Sequence, residues 1–389
     1  MAARLQDQDF EGKRVLIRVD FNVPLDENRQ VTSDARLCAA LPTIRWVLRH
    51  GGRPILMSHL GRPKGRVVED MRLRPAGERL GQLLEVPVRY AHDCIGEEAQ
   101  TAAAALGAGE CLLLENLRFH PEETGGDAEF AKQLASLADV YVNDAFGVAH
   151  RAHASVAGVP AHLPSVLGLL LEKEIQAFER LLTQPAKPVV AILGGAKVSD
   201  KLPVILNLLS KVDAILIGGA MAYTFLAQQG VPIGNSRCEN DLLKQAGAAL
   251  TAARQQGVEL LLPVDHVCAA EVAQDAATSV HAQIPDDLMG LDIGPLTVES
   301  YQAVLVNAQT IVWNGPMGVF EMALFRNGTE AMARAVAGSD AWSLVGGGDL
   351  VAALELVGVA DQIDHVSTGG GAGLELLAGK TLPGIAALG

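Results

Sequence analysis

"KPVVAILGGAKVSDKLPVILNLLS" occupies residues 187–210. Its first part, 187–192, apolar from Pro188 onward, reads as a buried strand. Gly194 and Gly195 follow as a turn, and 200–210 reads as a helix. Strand, glycine turn and helix form the repeating unit of a parallel α/β sheet. Lys197 and Lys201 read as two ammonium groups one helical turn apart near the helix start, where free backbone N–H groups already favour anions. Phosphate is the guest this pattern suggests. Neither G-x-x-x-x-G-K-[ST] nor a strict G-x-G-x-x-G occurs, so a phosphate here requires another glycine architecture.

Outward from this stretch the same rhythm fills the chain. In the first half 14–21, 53–59, 111–117 and 138–146 read as strands, with helices over 34–51 and 127–138. In the second half 213–220, 259–267, 310–316, 341–349 and 363–371 read as further strands. Val-, Ile- and Leu-rich strands separated by helices imply α/β architecture with parallel sheets covered on both faces. Ligands in such sheets sit at the carboxyl ends of the strands. Five strands of the second half end in "GG", "GGA", "NGP", "GGGD" and "STGGG". Glycine there permits positive φ and close backbone approach to a ligand, so five such loops on one edge favour a nucleotide floor over isolated turns. Residues 163–185 carry a helical stripe and read as a long helix joining two lobes.

A chain of 389 residues, 49% hydrophobic and 20% charged, suits two globular domains. The formal net charge of −14 argues against nucleic acid or an anionic membrane as partner. Up to Leu170 there are 19 Lys+Arg against 22 Asp+Glu, and 16 of those 19 cations are arginine; beyond it the counts are 12 and 23. Arginine suits bidentate recognition of carboxylate and phosphate. The five cysteines form no C-x-x-C pair, and reduced cytosolic thiols are expected. No secretory signal or membrane span is expected, so the protein is placed in the cytoplasm, as a monomer acting on small molecules.

The first half collects polar residues at strand ends: Asp20 and Asn22 in "RVDFNVP", Arg36, His59 and Arg62 in "SHLGRP", Arg118 and His120 in "LRFHP", and His150, Arg151 and His153. Each has an ordinary alternative, such as a surface ion pair for Arg36 or a capped turn for His153. Together they form a basic cup for a small, multiply anionic acid, because uncompensated cations on one sheet edge destabilise unless an anion joins them. A cup for a phosphorylated acid and a floor for a nucleotide together suggest phosphoryl transfer, which needs positioning and charge neutralisation more than a nucleophile. Asp349 after three glycines suits an Mg²⁺ ligand or a helix cap, and Glu321 a ribose contact or a cap.

At these motifs the sequence resembles the phosphoglycerate kinase family from "RVLIRVDFNVP" to "STGGGAGLELLAGKTLPG", with "SHLGRP", "LRFH", "GGAKVSDK", "NGPMGVFE", "GGGD" and "STGGGA" in the family's order. The resemblance implies two doubly wound, Rossmann-like lobes joined by a long helix and hinge. It places residues 1–168 in a lobe for 3-phosphoglycerate and 169–372 in a nucleotide lobe, with about 373–389 returning to the first. It implies reversible, Mg²⁺-dependent transfer of the acyl phosphate of 1,3-bisphosphoglycerate to ADP, giving ATP and 3-phosphoglycerate in glycolysis. By resemblance Asp20, Phe21, Asn22, Arg36, His59, Leu60, Gly61, Arg62, Arg118 and Arg151 surround the acid. Arg36, Lys197, Lys201 and Gly370 serve catalysis, with Gly369 to Gly371 offering backbone donors. Gly194, Gly195, Gly218, Gly290, Asn314, Glu321, Gly347, Gly348, Asp349 and Leu350 join the two lysines in the nucleotide site, Asp349 holding the metal. Leu350 stands where the family usually has Thr or Ser, and Gly373 where Ser is common. The first departure removes a phosphate hydrogen bond, so Leu350→Thr is expected to tighten ADP binding unless Leu350 packs against apolar neighbours. A nicotinamide-dependent dehydrogenase would share the lobes but needs the dinucleotide fingerprint. A solute-binding protein would share the cup but needs an export signal and no nucleotide floor.

Overall fold

In the computed structural model, which describes residues 3–389, the stretch 187–210 folds as strand Val189–Leu193, a glycine turn and helix Leu202–Leu208. All five strand residues are buried, as an apolar run inside a covered parallel sheet must be. The chain divides into two compact units: Met1–Gln176 with Thr381–Gly389, and Ala177–Lys380.

The first unit holds a seven-stranded parallel sheet in the spatial order Ala3–Arg4, Ser165–Leu167, Val140–Asn143, Arg14–Arg18, Arg53–Met57, Cys111–Leu113, Val88–Tyr90. Strand order reverses direction between Arg14–Arg18 and Val140–Asn143, which leaves a crevice at their carboxyl ends. Val15, Ile17, Leu56 and Val142 pack with Leu37, Ile44 and Val47 of helix Ala35–Arg49 in one core. That helix passes through Pro42, whose exposed ring costs one backbone donor without ending the helix. Each fully buried aliphatic side chain of this kind contributes about 1.5–3 kcal/mol.

The second unit holds a six-stranded parallel sheet, ordered Glu259–Leu261, Ala214–Ile217, Val189–Leu193, Thr310–Asn314, Trp342–Gly346, His365–Val366. Its reversal falls between Val189–Leu193 and Thr310–Asn314. The glycine loops after 193, 217, 314, 346 and 366 therefore all lie on one edge, as the sequence pattern implies.

Two expectations about individual elements need correction. The run 259–267 is not one strand: it breaks at Pro263, and His266–Ala269 joins a separate antiparallel sheet with Ser279–His281 and Met289–Ile293. Proline has no N–H to give a sheet ladder, which explains the break. The stretch 163–185 is not all helix, since Ser165–Leu167 pairs with Val140–Asn143 and the helix runs only over Leu169–Thr183. The division between the units falls inside this helix, beyond residue 168. The segment belonging to the first unit begins at Thr381, later than residue 373, because Gly370–Leu377 is packed within the second unit. There Asn207 Nδ2 donates to the Leu377 carbonyl at 2.8 Å, and a Cβ on Gly373 would press on the Phe178 ring at 2.9 Å. The last turn is tied to the first unit by Gly384 N–H to the Ala149 carbonyl (2.8 Å) and Asn143 Nδ2 to the Gly384 carbonyl (3.2 Å).

Candidate active site

In the first unit, the loops that leave strands Arg14–Arg18 and Arg53–Met57 are zipped together. Phe21 N–H donates to Ser58 Oγ at 2.8 Å, Ser58 Oγ donates to the Val19 carbonyl at 2.9 Å, and Gly61 N–H donates to Asn22 Oδ1 at 2.9 Å. Asn116 Nδ2 donates to both the Leu60 and Met71 carbonyls at 2.8 Å, fixing the outer side of the same loop. Gly61 has φ +64, a left-handed backbone that favours glycine, and a Cβ there would displace the end of the Met71 side chain, whose sulfur would stand at 2.9 Å.

This frame carries a surplus of cations. Arg36 Nη1 donates to Asp20 Oδ2 at 2.7 Å, and Arg118 Nη1 donates to the Gly61 carbonyl at 2.8 Å. Arg62 and Arg151 are exposed and have no ion pair among the described residues. Burial, and then the charges of Arg18, Arg118 and Arg36, push His59 well below its usual range, so its ring is neutral. Burial and the Arg18 charge also bring Arg118 down to about 10, against the opposing pull of Glu123 and Asp20. Groups driven toward their uncharged forms in this way mark a site short of negative charge.

In the second unit the glycine loops pack backbone on backbone. A Cβ on Gly194 would collide with the Pro316 carbonyl, one on Gly219 with Gly195, and one on Gly315 with Gly194. Gly195 (φ +105), Gly219 (φ +66), Gly315 (φ +89) and Gly347 (φ +106) hold left-handed conformations that only glycine adopts cheaply. A Cβ on Gly370 would stand 3.6 Å from the Gly347 Cα, so the turns after the last two strands adjoin. Asn314, 4% exposed, accepts a hydrogen bond from Lys201 Nζ through its Oδ1. Burial lowers the Lys201 ammonium to about 8, while the nearby charges of Asp200 and Asp349 oppose the shift.

The two lysines do not form a pair on one helix. The helix begins at Leu202, Lys201 stands at the position before it and is buried, and Lys197 lies exposed in the preceding turn. Glu239 Oε2 holds that turn by accepting from the N–H groups of Val198 and Ser199, and no local pattern announces this contact. Phe21 is fully buried and Leu60 nearly so, so these two serve the cup through their backbone positions. Gly218 and Gly290 leave room for the Met317 sulfur and the Tyr223 hydroxyl, and Gly290 is itself buried in the antiparallel sheet. Glu321, Gly348 and Asp349 are exposed. Leu350 is fully buried with Val345, Ala353 and Leu354, which is the packing alternative.

The donor set suits a hard cation: Asp349, in the first turn of helix Gly348–Val357, presents an exposed carboxylate without an ion pair among the described residues. One such carboxylate plus nucleotide phosphates is an ordinary magnesium environment. The one group of three metal-ligating side chains found among the described residues is elsewhere, at Asp93, Cys94 and His120. There His120 Nε2 is already joined to Asp93 Oδ1 at 2.7 Å, and burial first, then the Asp93 charge, keeps the Cys94 thiol protonated.

Residues 5–380 match the family described as phosphoglycerate kinase. The chain is 58% identical over 386 residues to the phosphoglycerate kinase of Moorella thermoacetica, covering 99% of this chain and 98% of that one. It is 55% identical over 392 residues to that of Synechococcus elongatus, with the same coverage. The solved phosphoglycerate kinase of Coxiella burnetii superposes with a TM-score of 0.89 at 42% identity, over 100% of this chain and 99% of the other. That of Pyrococcus horikoshii gives 0.85 at 34% identity, over 99% and 98%.

Proposed function

The chain belongs to the phosphoglycerate kinase family, and from that membership we propose a division of labour among its own residues. It is a phosphotransferase of glycolysis, acting between 1,3-bisphosphoglycerate and ADP on one side and 3-phosphoglycerate and ATP on the other. The cup of Asp20, Asn22, Arg36, His59, Arg62, Arg118 and Arg151 binds the phosphoglycerate. The observation that carries this is the shortage of acids in the cup: Arg62 and Arg151 lie exposed without an ion pair among the described residues, and Arg36 is shared with Asp20; such a cluster gains most from an anion of several charges.

The glycine edge of the second unit receives the nucleotide. Gly194, Gly195, Gly347 and Gly348 keep side chains out of its way, Asn314 orients the Lys201 ammonium, and Glu321 faces solvent where a ribose can reach it. Lys197, Lys201 and Arg36 supply positive charge to the moving phosphoryl group. The N–H groups at the start of helix Gly370–Leu377 add preorganised donors. Asp349 would hold magnesium, which neutralises charge on the nucleotide phosphates when bound. The protein works as a cytoplasmic monomer on small molecules. No helix is long and apolar enough to cross a membrane.

A coupled assay with 3-phosphoglycerate and MgATP tests this reading. Turnover is expected, and a chelator should abolish it without changing the thermal midpoint, because Asp349 is exposed and supports no core. Folded protein that turns over neither direction of the reaction overturns the proposal.

A further inference from the structure

Behind the cup lies a buried polar relay that no motif announces. Glu123 sits in the short helix Pro121–Gly125, directly after Arg118 and His120, and is fully buried. Its Oε2 accepts from Ser155 N–H at 2.9 Å and its Oε1 accepts from Ser155 Oγ at 2.7 Å. The Ser155 hydroxyl oxygen in turn accepts from Arg18 Nε at 2.9 Å. Arg18, also fully buried, donates through Nη1 to the Val19 carbonyl and through Nη2 to His59 Nδ1 at 3.2 Å. A guanidinium can only donate, so His59 Nδ1 is the acceptor and the ring proton resides on Nε2. Tyr141 Oη donates to the Ser155 carbonyl at 2.9 Å, which closes the other side of that residue. His153 Nδ1 stands 3.6 Å from Glu123 Oε1.

We propose that Glu123 is a positioning residue for the phosphoglycerate cup, acting through Ser155 and Arg18 to fix the His59 tautomer and the turn that carries Arg151 and His153. The inference rests on the cup being the phosphoglycerate site. Every link has one possible direction: carboxylate accepts from hydroxyl, hydroxyl accepts from guanidinium, guanidinium donates to imidazole. A neutral His59 so held offers an Nε2–H donor without adding to the local positive charge. Glu123 also supplies the buried counter-charge for Arg18, and a buried ion without its partner is strongly unfavourable. Burial alone would raise the Glu123 carboxyl; His153, Arg18 and Ser155 outweigh it and hold the group below its usual range.

The test uses two variants of the full chain. Glu123→Gln keeps the shape and removes the charge; Ser155→Ala keeps the charge and cuts the relay, covering the case in which the first variant does not fold. Each should raise KM for 3-phosphoglycerate about tenfold to a hundredfold, the scale of a lost hydrogen bond to a charged group. KM for MgATP should stay within about twofold, an effect worth only a few tenths of a kcal/mol. Nitrogen-detected NMR of the histidine rings should show His59 as the Nε2–H tautomer in the parent and a mixture in Ser155→Ala. Equal rises in both KM values, or an unchanged His59 tautomer, overturn the proposal. If the parent protein shows no turnover, the functional reading fails, while the tautomer measurement still decides the positioning role.

Discussion

Lys201 illustrates how one side chain's environment sets its chemistry. Its ammonium is buried against Asn314 and titrates near 8, so it is charged below that pH and loses its proton as pH rises through it. MgADP affinity measured by calorimetry should therefore fall between pH 7 and 9, and the fall should be absent in Lys201→Ala. An equal decline in both proteins assigns the titration to another group. In the coupled assay Lys201→Ala and Arg36→Ala should each lower kcat by roughly 10²–10³, the scale for one charge aimed at a transition state. Near-normal turnover in either variant removes that residue from the catalytic set.

Among the helices, two starts behave differently from what local sequence suggests. Helix Gly348–Val357 turns Leu350 into the core while Asp349 faces out. Leu350→Thr should thus lower stability by about 2–4 kcal/mol through lost burial and a buried hydroxyl. It should not tighten MgADP binding, and a tighter Kd would show that the missing hydroxyl matters after all. Helix Leu169–Thr183 begins on Asp144, whose buried Oδ1 accepts from the N–H groups of Leu170 (2.9 Å) and Leu171 (3.3 Å). Asp144 also explains Gly168, where a Cβ would collide with the carboxylate. Burial raises this carboxyl from 3.8 to about 7. Its folded pKa lies above its unfolded one, so its stabilising contribution is complete below about 3.8 and lost as pH rises through about 7. Asp144→Asn should flatten the stability profile across that window by up to about 1.4 kcal/mol per pH unit. Some slope should remain because Asp292 is raised to about 7 in the same way. Denaturant titrations from pH 4 to 8 check this, and superposable profiles would show that Asp144 is not the titrating group.

For the molecule as a whole, each unit has its own sheet, its own core and its own cluster of ligand-facing loops. The two substrates should accordingly protect disjoint sets of amides from hydrogen exchange. With 3-phosphoglycerate alone, slowing is expected around 20–22, 58–62 and 150–155. With MgADP alone it is expected around 194–195, 218–220, 314–315 and 346–350. Protection of the first set by MgADP alone would contradict the assignment of the nucleotide to the glycine edge.

The sequence by itself determined what is local or strictly periodic. Buried parallel strands show as apolar runs, and glycines forced by positive φ or by backbone contact show as glycines, as at Gly195, Gly315 and Gly347. Arg62 and Arg151 stand out in the sequence as arginines in short loops, and both are exposed in the structure. Tertiary structure alone decided which polar residues are buried together. Arg18 inside an apolar strand, Glu123 beside a second glutamate and Ser155 in the π-helical turn Ala154–Gly158 of small residues carry no local mark. Their partners are 32 to 137 residues away in the chain. It also decided that Lys197 is exposed while Lys201 is buried, and that Pro263 hands the chain to a second sheet. The physical reason is that burial and charge pairing depend on three-dimensional neighbours, whereas backbone conformation and hydrophobic period depend on the residues next in line.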